Sequence, residues 1–541
     1  MKGRQLLRLT PGLVTSISIV ATAFLLPLDL NKLLLLSFTP VPILINYIAV
    51  NIRRVFAGVA DVDYLFLITH MAAVATGRPP RHKLFELYSV TGQAYGVYSR
   101  TLGEISSLAK KWGYSYIQAI RHYIRRVRDQ IFRDFLARFA EALNMGEDES
   151  LVLETERSIA IANYEARYHR SLEIMRILLG IYVATISSII FININMIIIS
   201  MVMWGSPHIA FASLIASISA TSFLVYAIYK LSPKEKFLHD MRIQPGRRKT
   251  IAYTVLLSIV ASTVAWTILY TVFGSIFSTP NYALIMLGAF LVPPGLLAHR
   301  FENGIKRIES FFQAFVRSYG LTYAVVRNHA VALRSILRVD LGPLTPAVKR
   351  LYTRLSNGID KGIAWMYFAG ENGSENIRRC VDVLYDTIDS GGDISKTGIL
   401  LSETLLKLAN LRGMRSQIAR AFQGVVYTLH VIMVILLEFI ITLTTIMHTA
   451  FQAVAGTGVL PFPLEAVDIG VLTIMKIVLL LAMSIINAIA IKVAEGGYIQ
   501  TFWLHAAVFT LISSIVSLTA SGLVKSLYEV LEIEELFQLA P

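Results

Sequence analysis

The sequence predicts an all-α, polytopic membrane protein of about nine transmembrane helices that carry two duplicated cytoplasmic helical-bundle domains. Composition gives the first reason: 55% of the 541 residues are hydrophobic and only 16% charged. A mean hydropathy of +0.59 is too apolar for a soluble domain. The second reason is nine apolar stretches long enough to cross a bilayer, which takes about 17 to 25 helical residues. The third is an internal repeat. "EALNMGEDES" closes at Ser150 and "DTIDSGGDIS" at Ser395, so Gly146 and Gly391, Asp148 and Asp393, and Glu141 and Asp386 all lie 245 residues apart. Gly113 and Gly358, and Tyr182 and Tyr427, keep the same offset. The chain therefore contains an ungapped duplication.

The apolar stretches have cores near 12–28, 33–51, 177–202, 209–229, 251–273, 282–298, 424–449, 469–492 and 502–524. Pro40 and Pro42 interrupt the second, Pro293 and Pro294 the sixth. They divide the chain into two spans (1–51), a first cytoplasmic domain (52–176), four spans (177–298), a second cytoplasmic domain (299–423), and three spans with an external tail (424–541). Charge orients them. Lys2, Arg4 and Arg8 precede the first span, Arg53 and Arg54 follow the second, and "KLSPKEKFLHDMRIQPGRRKT" (230–250) separates the fourth from the fifth. The opposite connections, "GSPH", "GSIFSTPN" and 450–468, hold no Lys or Arg. By the positive-inside tendency the N-terminus is cytoplasmic and the C-terminus external. Four spans separate the repeats, and an even number preserves orientation, so the repeats are parallel. Inverted-repeat transporters have the opposite arrangement.

The net charge of +14 is mostly this topology signal. Its basic residues are dispersed among apolar positions without a stripe of stacking aromatics, which argues against a nucleic-acid partner. No cleavable signal peptide is visible. Cys380 is the single cysteine, which excludes an internal disulfide or thiolate metal site. No cofactor motif is present: Lys396-Thr397 and Lys249-Thr250 lack the preceding glycine of a phosphate loop, and "SGGD" (390–393) lacks a partner aspartate within a span. His70, His82, His122, His169 and His430 are scattered and read as surface or satisfied core residues. These observations point away from an enzyme.

Both large domains read as helical. "YSYIQAIRHYIRRVRDQIFRDFLARFAEAL" places Ile117, Ile120, Ile124, Val127, Ile131, Phe135, Phe139 and Leu143 three or four apart, and Ile377, Val381, Leu384 and Ile388 repeat the pattern. Gly146 and Gly391 read as helix stops, with Gly113 and Gly358 as a further pair of structural turns. Asp148 and Asp393 read as caps for the helix that follows. Arg121, Arg125 and Arg128 fall at i, i+4 and i+7 of an expected helix and would form a basic ridge; Arg378 and Arg379 are the expected counterparts in the second copy. With the acidic tips at Asp148 and Asp393, they are the candidate contacts for a cytoplasmic partner, weighed against a solvated face near anionic lipid. Polar groups within the spans are few: Asn193, Asn195, Glu438, Lys476, Lys492 and His505. Glu438 and Lys476 lie in adjacent spans and would form one structural pair.

Four stretches resemble the first half of the archaeal type IV pilus and archaellum platform proteins, within the type II secretion F-protein superfamily. They are "LITHMAAVATGRPPRHKLFEL" (67–87), "YSRTLGEISSLAKKWGYSYIQAI" (98–120), "FRDFLARFAEALNMGEDESLVLETE" (132–156) and "YEARYHRSLEIMRILLGIYVATISS" (164–188). The second half is resembled by "LYTRLSNGIDKGIAWMYFAGENGSENIRRCVDVLYDTIDSGGDISKTG" (351–398) and "LRGMRSQIARAFQGVVYTLHVIMVILL" (411–437). The resemblance implies a non-enzymatic membrane platform coupled to a hexameric cytoplasmic secretion ATPase, supporting a filament of pilin-like subunits drawn from the lipid bilayer. Two similar domains would offer two quasi-equivalent contacts to a ring, and a homodimer four. The rival reading is a parallel-repeat transporter or channel, which requires polar residues converging at mid-membrane. An adaptor or sensor that merely presents the domains is a third.

Overall fold

The protein is described here by a computed structural model covering residues 61–92, 95–202, 208–243, 245–273, 280–455 and 469–530. The spans expected at 12–28 and 33–51, and the end of the acidic tail, lie outside these residues. Among the described residues the chain is helical, and its single β-bridge joins Leu238 to Ser374.

A first bundle comprises α1 (Val62–Ala75), α2 (Arg81–Phe85), α3 (Val97–Trp112), α4 (Tyr116–Ile124) and α5 (Gln130–Met145). It leads into α6 (Glu149–Val202), then α7 (His208–Leu231) and α8 (Arg247–Phe273). The second copy opens with α9 (Pro280–Val326), followed by α10 (His329–Ile336), α11 (Thr345–Ser356), α12 (Lys361–Asn372) and α13 (Glu375–Asp389). It closes with α14 (Ile394–Ala455), α15 (Ile469–Glu495) and α16 (Phe502–Val530). Helices α6, α7, α8, α9, α14, α15 and α16 are long and apolar enough to cross a membrane. They coincide with the seven apolar stretches expected from 177 onward.

The duplication is visible in the helix boundaries and in the chemistry that sets them. Helices α4 and α12, α5 and α13, and α6 and α14 each begin 245 residues apart. Their N-caps are Ser115 and Asp360, then Asp129 and Ser374, whose side chains accept from free first-turn amides. Asp148 and Asp393 repeat this at α6 and α14, accepting from Ser150 N (2.9 Å) and Lys396 N (3.0 Å). Gly146 and Gly391 both stop a helix in the left-handed region, at φ 74° and 72°. In each copy the amide one residue further on returns to the helix: Glu147 N to Ala142 O at 3.1 Å, and Gly392 N to Thr387 O at 2.8 Å. Gly113 and Gly358 share the same conformation.

One expected helix is two. The run from Tyr114 to Leu143 breaks after Ile124, because the Asp129 carboxylate accepts from Ile131 N (2.9 Å) and starts a new helix. Arg128 is therefore not on the helix that carries Arg121, and Arg125 is only its C-cap; the three do not form a helical ridge. The equivalent position in the second copy is Gly373, left-handed at φ 75°, which ends α12 outright. The apolar stripe survives the break because both short helices face the same core, with Ile120, Phe135, Phe139 and Leu143 buried.

Pro293 and Pro294 do not interrupt the sixth span either: α9 runs through them. Gly295 follows, and a Cβ there would lie 2.6 Å from the backbone of Leu504. Close backbone packing of α16 thus supports the segment where the prolines withdraw their donors. Helix α8 shows the opposite environment. Leu256, Leu257, Val260, Val264 and Ile268 are all exposed, as side chains facing hydrocarbon are.

The two bundles meet at α1. It is buried on nearly its whole circumference, from Tyr64 to Ala75, between α6 of its own copy and α13 and α14 of the other. A Cβ at Gly77 would sit 2.8 Å from Gly392 Cα, so the end of α1 touches the second copy's turn backbone to backbone. Replacing Gly391 by valine should cost about 1–2 kcal/mol for its left-handed φ alone, whereas Gly77→Val must push the bundles apart. Thermal unfolding in detergent should rank Gly77→Val below Gly391→Val, and Gly103→Ala, whose added Cβ meets open space, near wild type. An unshifted Gly77→Val would refute the contact.

Candidate functional site: two helix turns that share one loop

Both copies of the repeated turn hold the same short loop, "TGRPPR" (76–81), which joins α1 to α2. On one side Arg78 Nη2 donates to Asp148 Oδ2 at 2.9 Å, and Arg81 Nε to Glu149 Oε1 at 2.7 Å. On the other, Asp393 N donates to Thr76 Oγ1 at 2.8 Å while Gly77 rests on Gly391 and Gly392. Lys83 lies 3.5 Å from Asp389. The clasp sits where α6 and α14 begin, at the end of the bundles opposite the apolar segments of those helices. Arg78 is in the left-handed region at φ 48°, which puts its side chain outward, 82% exposed. The Ser150 amide and then Arg78 hold the Asp148 carboxyl below its ordinary range, so the tip stays anionic at neutral pH.

Arg121, Arg125 and Arg128 are exposed, as expected for surface contacts. Arg378 and Arg379 are not: both are buried, and the expectation of a second basic surface is corrected. Arg378 Nη2 reaches Glu375 Oε1 at 2.7 Å and its Nη1 reaches Asp382 Oδ2 at 2.8 Å. Arg379 also bonds Glu375, at 2.9 Å, and crosses to Asp63 on α1. Thr91 of the first copy donates to Asp382 twice, at 3.0 and 2.7 Å. His70 on α1 lies 2.9 Å from Asp386, and its other nitrogen 3.0 Å from the Tyr95 hydroxyl. Burial raises the Glu375 carboxyl, but the donors of Arg378 and Arg379 outweigh it and leave it below the usual range; burial wins at Asp382 and raises it. The charged face of α13 is thus the inner surface between the bundles.

A single phenol joins two N-caps of the first bundle, Asp61 of α1 and Asp129 of α5. Tyr98 donates to Asp61 at 2.8 Å and lies 2.9 Å from Asp129, and burial together with these carboxylates pushes its ionisation far up.

Where the bundles meet the membrane helices, Arg412 of α14 reaches Glu235 and, at 2.8 Å, Glu309. Arg415 donates at 2.9 Å to the carbonyls of Pro233, Val493 and Ala494, the last two at the C-terminus of α15. The turn at Gly496 and Gly497, φ 74° and 77°, leaves no room for a Cβ against Arg415 and Glu302. Lys492, fully buried, bonds Glu302 at 3.0 Å. Within the spans, Glu438 and Lys476 meet at 2.8 Å. Sequence reasoning missed the clasped loop and this collar, although the Gly-Arg-Pro-Pro of the loop and the Gly-Gly after the eighth span are visible signals.

Fold and site define a class: an all-α, multi-pass membrane protein whose paired helical bundles stand on long helices running into the membrane. The chain is similar along nearly its full length to the Flagella accessory protein J of Methanocaldococcus jannaschii, 26% identical over 529 residues, covering 94% of this chain and 92% of that one. It is also similar to the Flagella accessory protein J of Methanococcus voltae, 24% identical over 457 residues and 82% of each. The resemblance to archaeal filament platform proteins is borne out by these two relatives. No family model matches the chain, and no solved structure does.

Arg378→Met should leave Glu375 and Asp382 buried with their main counter-charge gone, at a cost of about 3–5 kcal/mol. Arg121→Ala, on the surface, should stay within about 0.5 kcal/mol of wild type. Thermal unfolding of the purified protein tests both, and equal effects would contradict the buried assignment.

Proposed function

We propose that the protein is the membrane platform of an archaeal type IV filament machine, an archaellum or pilus, that couples a cytoplasmic secretion ATPase to the insertion of pilin-like subunits. The observation that carries this reading is similarity across nearly the whole chain to two flagella accessory proteins. The architecture supports it physically. Helix α6 has 54 residues and α14 has 62, so each extends about 80 Å or more at 1.5 Å per residue. Both run without interruption from the clasp into the membrane segment, so a push at one end is delivered at the other. In this reading the bundles are cytoplasmic, the role is non-enzymatic, and the motor docks on their exposed charged surface.

The charged groups offered to the motor are the exposed Arg121, Arg125 and Arg128 of the first bundle and the acidic tips Asp148 and Asp393; Arg128 and Asp148 flank opposite ends of the 16-residue α5, about 24 Å apart along its axis. Charge there sets orientation and encounter rate more than affinity. Arg378 and Arg379 have no part in it. Reversing Arg121, Arg125 and Arg128 to glutamate together should abolish filaments on cells and weaken co-purification of the ATPase, while membrane insertion and thermal stability are retained. A triple reversal that keeps both filaments and ATPase would move the docking surface elsewhere. Labelling of cysteines introduced into the bundles checks their side of the membrane, since the native Cys380 is fully buried.

A further inference from the structure

The second copy's membrane helices contain a column of polar side chains that the platform reading does not use. Nearest the bundles, Lys492 of α15 lies 3.8 Å from Glu495, Glu495 lies 3.7 Å from His505 Nε2 of α16, and His505 Nδ1 meets the Tyr427 hydroxyl of α14 at 3.0 Å. About two turns deeper on α15 and α16 is a second group. His430 Nδ1 meets Asn487 at 3.1 Å, its Nε2 meets Ser513 Oγ at 2.7 Å, and Ser513 meets Ser484 at 3.0 Å. Tyr182 of α6 donates to Asn487 at 2.7 Å. The third group lies toward the far side: Glu438, Lys476 at 2.8 Å, Ser517 donating to Glu438, and Asn281 donating to Ser517 at 2.9 Å. His430, Ser484, Asn487 and Ser513 are all buried. Polar groups that read as few along the sequence thus gather within the spans.

The groups are separated by short apolar intervals. Phe509 stands between the first two, its ring centroid 4.6 Å from Tyr427 and 4.8 Å from His430. Between the second and third, Ser513 and Ser517 are one turn apart on α16, about 6 Å along the axis. Buried hydroxyl, imidazole and carboxylate groups at such spacing are costly in hydrocarbon, and a structural clamp needs far fewer.

We propose that this column is a proton pathway through the membrane helices of the second copy, closed in this structure by Phe509. The carriers fit a proton and no larger ion: each is a single hydrogen-bonding group, and the one buried carboxylate on the far side, Glu438, is already balanced by Lys476. A proton held at Glu495 and His505 reaches the Tyr427 hydroxyl. When Phe509 swings aside, water in its place carries the proton to one ring nitrogen of His430. The other ring nitrogen gives its proton to Ser513 as Ser513 gives its own to a water one turn along α16; that water hands a proton to Ser517 as Ser517 protonates Glu438, and release from Glu438 to the far side restores its ion pair with Lys476. No bond other than O–H and N–H is made or broken.

The test uses the full chain reconstituted into lipid vesicles containing a pH-sensitive dye, with a potassium gradient and valinomycin to set the membrane potential. Phe509→Ala should raise proton influx about tenfold or more over wild type, a modest change in barrier. Adding His430→Leu or Glu438→Gln to Phe509→Ala should return influx to that of wild type. Phe509→Val supplies the same test if the alanine variant fails to elute as a folded protein. A folded Phe509 variant with no influx above protein-free vesicles overturns the proposal, as does a Phe509→Ala/His430→Leu double variant that still conducts. Neither result bears on filament assembly, so failure here leaves the platform reading to its own test.

Discussion

The whole arrangement depends on the burial of one helix, α1, between the two copies. A helix of an ordinary bundle buries one stripe and leaves the rest to water. From Tyr64 to Ala75, α1 buries nearly every side chain, and each large apolar one contributes about 1.5–3 kcal/mol before chain entropy is charged. Such a helix cannot exist with only one bundle around it. Its second wall is α13, whose inner face carries Arg378, Arg379, Glu375, Asp382 and Asp386, and every one of these charges is answered within the protein. Apolar burial holds the bundles together, and the charge network fixes their register, because any slip would strand a buried ion.

Duplication explains the parts, and divergence explains the assembly. Caps and glycine stops recur at a constant offset because each copy must make the same helix hairpins. Yet the two turns are used differently. The first offers Asp148 to Arg78 at the surface, while the second presents bare glycine backbone to Gly77 and is filled by it. In the second copy the residues equivalent to the clasped loop are helical, lying within α9. The described residues therefore hold one clasp rather than two, and the tip of the paired bundles is asymmetric.

The legible part of the sequence was whatever depends on local chemistry. Glycine stops, aspartate caps and apolar runs declare themselves within a few residues, so the seven described spans and the repeat could be read directly. Arg378 and Arg379 misled because a charged helix face has the same spacing whether water or another bundle covers it. Arg128 misled for a local reason: a continuous apolar stripe reads as one helix, and only the Asp129 cap reveals the break. The intramembrane column was invisible because Tyr427, His430, Asn487 and Ser513 lie on three helices and become a group only once those helices pack. Polar residues counted one at a time look sparse; the same residues gathered on one axis do not.

The collar at the membrane edge decides how motion could pass between these regions. Arg415 ties α14 to the C-terminal carbonyls of α15 through three hydrogen bonds, and Arg412 ties it to Glu235 and to Glu309 of α9. Two glycines keep the α15 to α16 turn tight against these groups, and Glu302 of α9 accepts from both Lys492 and Tyr498 N. Four membrane helices are thus bonded together at the level where the bundles end. A rotation of the bundles cannot slide one helix past the others without breaking several charge-assisted bonds, each roughly twice as strong as a neutral one. Movement of the head would then tilt α9, α14, α15 and α16 as a unit. Deeper in the membrane, the side chain of Phe509 is held between Tyr427 and His430 by ring packing, a contact that can change without breaking the hydrogen bonds around it.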